Sequence, residues 1–156
     1  MTQPDSPEDR LAALGITLPT PAAPAANYVP TVRAGGLFFL AGQLPMGPDG
    51  LAFKGKLGRD LTVEQGREAA RLAAINLLAQ AKMALGRLDR VKQVARLTGF
   101  VSGIDTFTEP HKVLDGASEL LVAVFGDRGR HTRSVLVAAS LPLDAAILID
   151  AVLEAD

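Results

Sequence analysis

The sequence contains no cysteine, which excludes disulfides, thiol nucleophiles and every zinc site built on thiolates. It has two histidines, His111 and His131, too few for a histidine-rich metal centre. With no tryptophan, one tyrosine and six phenylalanines, a platform of several aromatics for stacking bases is disfavoured. An excess of charge of one sign is also missing. Sixteen basic residues against 17 acidic ones leave a net charge of −1, so no global field attracts nucleic acid or an anionic membrane. The most apolar stretch, residues 134–149, is broken by Pro142 and Asp144 and is too short to span a bilayer. The start, MTQPDSPEDR, has neither a basic n-region nor an apolar h-region. No targeting segment is therefore expected, and the chain reads as soluble and cytoplasmic.

What is present fits one globular domain. Apolar residues make up 48% and charged ones 21% of 156 residues, a length that buries roughly 68–70% of the unfolded surface. Six of the ten prolines lie in the first thirty residues. There, Ser6 reads as the N-cap of a short helix with Pro7 at its first position, stopping at Gly15. The following LPTPAAPAA reads as extended and polyproline-like. Residues 1–26 are thus expected to form an N-terminal extension, and 27–156 an α+β domain.

From Asn27 onward the pattern changes. Residues 28–34 and 37–44 flank Gly35-Gly36 and read as a β-hairpin, with a possible short strand at 51–54. Thr62 and Gln65 form a capping box for a helix over 63–85 that stops at Gly86. Ala70, Ala74, Leu77, Ala81 and Leu85 give it one apolar face. Residues 91–101 read as a strand, a second helix follows Pro110 and ends at Gly126, and two strands at 134–139 and 145–153 complete the chain. Strands grouped around two helices predict one mixed sheet with both helices on a single face. The other face would remain half apolar, and self-association is the natural way to cover it.

Several clusters invite chemistry. Residues 50–57 nearly spell G-x4-G-K-[ST], but Leu57 replaces the hydroxyl and no helix is predicted after Lys56, so turn glycines are favoured over a phosphate cradle. Arg87, Arg90, Lys92 and Arg96 form a basic run that a solvated junction explains more simply than an RNA contact. Ser102, Ser118 and Ser134 have no histidine–carboxylate partner nearby in sequence and no nucleophile-elbow motif. Arg133 stands apart from the rest of the Arg128–Arg133 cluster. A strand edge holds its guanidinium, and such a fork suits bidentate binding of a small carboxylate.

Ala41-Gly42-Gln43-Leu44-Pro45 after the hairpin resembles the (S/A)-G-Q-(I/L)-P signature of the Rid family, also called YjgF-like or L-PSP endoribonuclease-like. Thr132-Arg133-Ser134 and Leu141-Pro142 before the last strand are similar to the same family. The likeness spans about residues 28–153. The N-terminal LGITLPTPAAPAANYVP, Gly55-Lys56-Leu57-Gly58 and residues 115–120 resemble a branch with an extended N-terminus.

This resemblance implies a chorismate-mutase-like α+β fold and a homotrimer with pockets between subunits. It also implies hydrolysis of enamines or imines such as 2-aminoacrylate to 2-keto acids and ammonia, without metal or organic cofactor. Arg133 corresponds to the arginine that pairs with the substrate carboxylate and is the catalytic residue expected here. Substrate-binding positions carried over are Tyr28, Gly42, Ser118 and Arg133, with Tyr28 closing the pocket across the interface. The sequence departs from the deaminases at two points. The serine before Gly-Gln is Ala41, and the glutamate fifteen residues after the arginine is Leu148, with Asp150 two residues away on the same strand face. Three functions therefore compete: a deaminase, a non-catalytic trimer that binds small carboxylates, and RNA cleavage or translation inhibition. The charge balance and scarce aromatics weigh against the last.

Overall fold

A computed structural model describes residues 6–21, 23–24 and 26–156. Ser6 caps helix α1 (Pro7–Ala13): its Oγ accepts from the Asp9 amide at 3.0 Å, and the Asp9 carboxylate accepts from the Ser6 amide. The helix is anchored by buried Leu11, by Glu8 accepting from the Leu88 amide at 2.8 Å, and by Arg10 donating to the Val124 carbonyl. Residues 16–21 of the proline-rich segment form neither helix nor strand, and its Ala22 and Ala25 lie outside the described residues.

The hairpin forms β1 (Thr31–Ala34) and β2 (Leu37–Gln43). In place of the expected strand at 51–54, β3 (Met46–Gly47) and β4 (Gly50–Leu51) make a separate two-stranded ribbon. The tight turn between them leaves only two residues on each side. Helix α2 (Val63–Leu85) has the predicted bounds and its Thr62–Gln65 capping box. Then come β5 (Val91–Ser102), α3 (Pro110–Phe125), β6 (Thr132–Ala138) and β7 (Ile147–Ala155). The last two strands begin two residues before and two residues after their expected starts. Long β5 decides both, pairing Arg96 with Thr132 and Val101 with Ile147.

The main sheet has the order β1-β2-β7-β5-β6, parallel only between β5 and β6. This is a mixed α+β fold: α2 and α3 cover one face, and α1 packs against α3. Alternation along paired strands sorts the residues between faces. The register aligns Leu40, Ala151, Leu97 and Arg133 in one row, whose apolar members are buried beneath the helices. A neighbouring row, Leu148, Phe100 and Leu136, belongs to the opposite face. Among the described residues no helix covers that face, and it leaves Phe39, Val32 and Leu136 exposed at 45%, 51% and 62%. Among the described residues no helix is long and apolar enough to cross a membrane.

Candidate functional site

Arg133 is the second residue of edge strand β6. Its row leads into the helix-covered core, so the side chain emerges at the sheet edge against α3. Asp115 and Ser118 sit three apart on that helix and therefore share a face. The guanidinium is held by both: Nη2 lies 2.8 Å from Asp115 Oδ1, and Nη1 donates to Ser118 Oγ at 3.0 Å. Nη2 also donates to the His111 carbonyl at 3.2 Å. His111 thus enters the site through its backbone. An arginine fixed this way keeps part of its donor fork for a ligand.

His131 completes the cluster. Its Nε2 lies 2.9 Å from Ser118 Oγ, and its Nδ1 lies 2.6 Å from the Gly129 carbonyl. A carbonyl only accepts, so Nδ1 carries the hydrogen, Nε2 accepts, and the Ser118 hydroxyl donates. Gly129 makes this possible by close approach: a Cβ there would fall 2.3 Å from the Leu121 carbonyl oxygen. Burial, and secondarily the Arg133 charge, holds the His131 pKa below its ordinary value, against the opposing Gly129 hydrogen bond. The imidazole is therefore neutral at neutral pH and able to accept a proton.

The sequence alone suggested no partner for Ser118, because His131 is thirteen residues away, beyond any local motif. Tertiary packing supplies it. One signal was available, since His131 and Arg133 are two apart and alternation directs both to one side. Asp115 was also missed. Its carboxylate competes with any incoming anion for Arg133. Asp115→Asn keeps the acceptor without the charge, and on a carboxylate-binding reading of Arg133 it is expected to tighten pyruvate binding about two- to fivefold, the worth of a partly exposed ion pair, as read by calorimetry.

The other expected site residues lie elsewhere. Gly42 sits in a β-bulge of β2, where the register slips between Leu40 and Gln43. Leu148 fills the space above it: a Cβ on Gly42 would fall 2.6 Å from Leu148 Cδ2. This pair belongs to the uncovered face, opposite to Arg133. Tyr28 is 54% exposed and precedes β1. The outer strands β1 and β6 are four strand spacings apart, or roughly 19 Å, so Tyr28 and Arg133 belong to opposite edges. Within one chain, then, Arg133 and Ser118 meet, whereas Gly42 and Tyr28 do not join them. Asp150 shares the face of Leu148, and its pKa is raised by burial although Thr98 and Arg96 oppose the shift.

Three residues of the basic run serve local contacts. Lys92 pairs with Asp156 at 2.6 Å, Arg90 donates to the Leu85 carbonyl, and Arg96 donates to Ser134 Oγ. Lys56 contacts the Ala139 carbonyl, and α2 begins only at Val63, so the glycine–lysine stretch lacks the helix N-terminus a phosphate cradle needs.

A family model described as "YjgF/chorismate mutase-like, putative endoribonuclease" matches residues 8–155. The chain belongs to this family. The YjgF/chorismate-mutase-like match thus takes in α1 as well as the sheet and its helices. A relative, Protein TCP17 of Trypanosoma cruzi, is 46% identical over 145 residues, 92% of this chain and 91% of its own length. The crystal structure of Atu1372 from Agrobacterium tumefaciens, described as of unknown function, is 45% identical with a TM-score of 0.91, covering 96% of this chain and 92% of that one. A structure from Shewanella oneidensis MR-1, carrying the same endoribonuclease description, is 41% identical with a TM-score of 0.94, over 96% and 99%. The YjgF-like chorismate-mutase fold expected from the sequence is therefore the fold of this chain.

Proposed function

We propose that the protein is an enamine/imine deaminase-type hydrolase for small amino-acid-derived carboxylates such as 2-aminoacrylate. Its imine tautomer and water give pyruvate and ammonia. The observation that carries this reading is the Arg133 guanidinium, positioned by Asp115, Ser118 and the His111 carbonyl at an open sheet edge. Each charge-assisted hydrogen bond to a substrate carboxylate adds about 1.5–3 kcal/mol, enough to orient a small anion. The pocket is completed in a homotrimer, where the uncovered face of one copy, with Gly42 and Leu148, meets the Arg133 edge of the next and Tyr28 closes it. The exposed Phe39, Val32 and Leu136 support such an assembly.

Leu148 favours a second reading, a trimer that binds small carboxylates without turning them over. An assay of freshly generated 2-aminoacrylate separates the two. The deaminase reading predicts pyruvate release faster than in buffer, lost in Arg133→Ala. A binding protein would show pyruvate-dependent thermal stabilisation, also lost in Arg133→Ala, at the buffer rate. If neither effect occurs, the Arg133 site is not a carboxylate site. An RNA substrate finds little support in a net charge of −1. Absence of salt-dependent RNA affinity would dispose of it.

A further inference from the structure

We propose that Ser118 and His131 form the proton-transfer pair of the Arg133 pocket, with His131 drawing a proton from the attacking water through the Ser118 hydroxyl. The inference rests on the carboxylate-binding reading of Arg133 and adds a base that the Rid resemblance does not supply.

The hydrogen bonds run in one direction. The Gly129 carbonyl accepts from Nδ1 at 2.6 Å and so leaves Nε2 as an acceptor. Ser118 donates its hydroxyl hydrogen to Nε2 at 2.9 Å. Ser118 Oγ in turn accepts from Arg133 Nη1 at 3.0 Å. A hydroxyl oxygen has two acceptor positions; Arg133 fills one, and the other is left for a water beside a bound substrate. The guanidinium contact also stabilises negative charge on Oγ as the proton moves toward His131. This is the arrangement of a nucleophile or water activator: hydroxyl, base, and a third group orienting the base. Ser118 lies in the middle of α3 (Pro110–Phe125), where backbone amides are spent on the helix, so α3 itself offers no backbone oxyanion hole. Water activation therefore fits better than formation of an acyl-serine.

The chemistry balances. Water oxygen bonds to the iminium carbon, the C=N π pair moves to nitrogen, and the water proton passes through Ser118 to Nε2. His131 then returns that proton to the amine. The C–N bond breaks with its electron pair going to nitrogen, and the hydroxyl proton leaves with ammonia as ammonium while C=O forms. The charge acting on the ring is Arg133, on strand β6, which begins directly after His131. Asp115 on α3 pairs with Arg133, and Arg96 on β5 is turned to Ser134 on the opposite face. The lowered His131 pKa keeps the base available at neutral pH.

The test measures, on the full chain, kcat for 2-aminoacrylate hydrolysis from pH 5 to 8 and pyruvate affinity. For wild type the rate should fall with acid along a limb below the ordinary histidine value of 6.5. His131→Gln should lower kcat about 10²-fold and abolish that limb, with pyruvate affinity within twofold of wild type. Ser118→Ala should reproduce the loss and Ser118→Thr should restore the limb, a rescue that a merely structural role would not produce. A His131→Gln or Ser118→Ala variant with the wild-type rate and pH profile overturns the inference. So does wild-type protein that binds pyruvate without turnover, which leaves Arg133 as a receptor site. Failure to bind pyruvate at all removes the Arg133 reading itself.

Discussion

Gly116→Ala is expected to destabilise the protein by about 3 kcal/mol, at the upper end of what overpacking a tight contact produces. A Cβ at this position would fall 2.2 Å from the Arg67 carbonyl oxygen and 2.9 Å from its carbon. These are backbone atoms of α2 and cannot swing aside as a side chain could. Alanine would gain about 1 kcal/mol of helix propensity, which the clash outweighs. The two helices must separate, loosening the Arg67–Glu119 ion pair at 2.7 Å and shifting Asp115 and Ser118 away from Arg133. Urea unfolding measures the loss, with Gly36→Ala as the control, since nothing lies within 4 Å of a Cβ there. Equal midpoints for the two variants would show that the helices have room to spare.

Leu148→Glu is expected to have the largest effect on activity. A positioned acid or base contributes about 10²–10⁴-fold, so on the proposed deaminase reading a carboxylate at this position should raise turnover by at least about 10²-fold. Leu148 and Arg133 lie on opposite faces of the sheet, so the gain depends on a second copy and should appear only in assembled protein. A glutamate ionises near pH 4.3, and the acid limb of the rate profile should move down accordingly from the histidine range. Initial rates against pH, with the oligomeric state followed by light scattering, provide the measurement. An assembled Leu148→Glu protein with an unchanged rate would show that position 148 and Arg133 do not share a pocket.

Both predictions depend on contacts the sequence conveys unevenly. The bounds of α2 were legible because its signals are local: Thr62 and Gln65 exchange hydrogen bonds across one turn, and Gly86 stops the helix with a positive φ. Arg133 was legible as a candidate because a strand-edge arginine among loop arginines is a local pattern, and the Rid signature independently singled it out. The strand limits of β6 and β7 shifted because a strand's extent depends on its partner, here the length of β5. Asp115 was invisible as a site residue because its carboxylate gains significance only beside Arg133, which comes from another element.

By itself, then, the sequence determined the order of the helices and main-sheet strands, the helix caps, the exclusion of thiol chemistry and Arg133 as a candidate, all readable over a few residues or from composition. Only the tertiary structure decided which groups meet. The register of β6 on β5 and the close approach of Gly129 to α3 join Ser118, His131, Arg133 and Asp115. The same register places Gly42 and Leu148 on the other face. The physical reason is strand alternation: a one-residue change in register would reverse the face of every side chain on the strand. No local pattern encodes that choice.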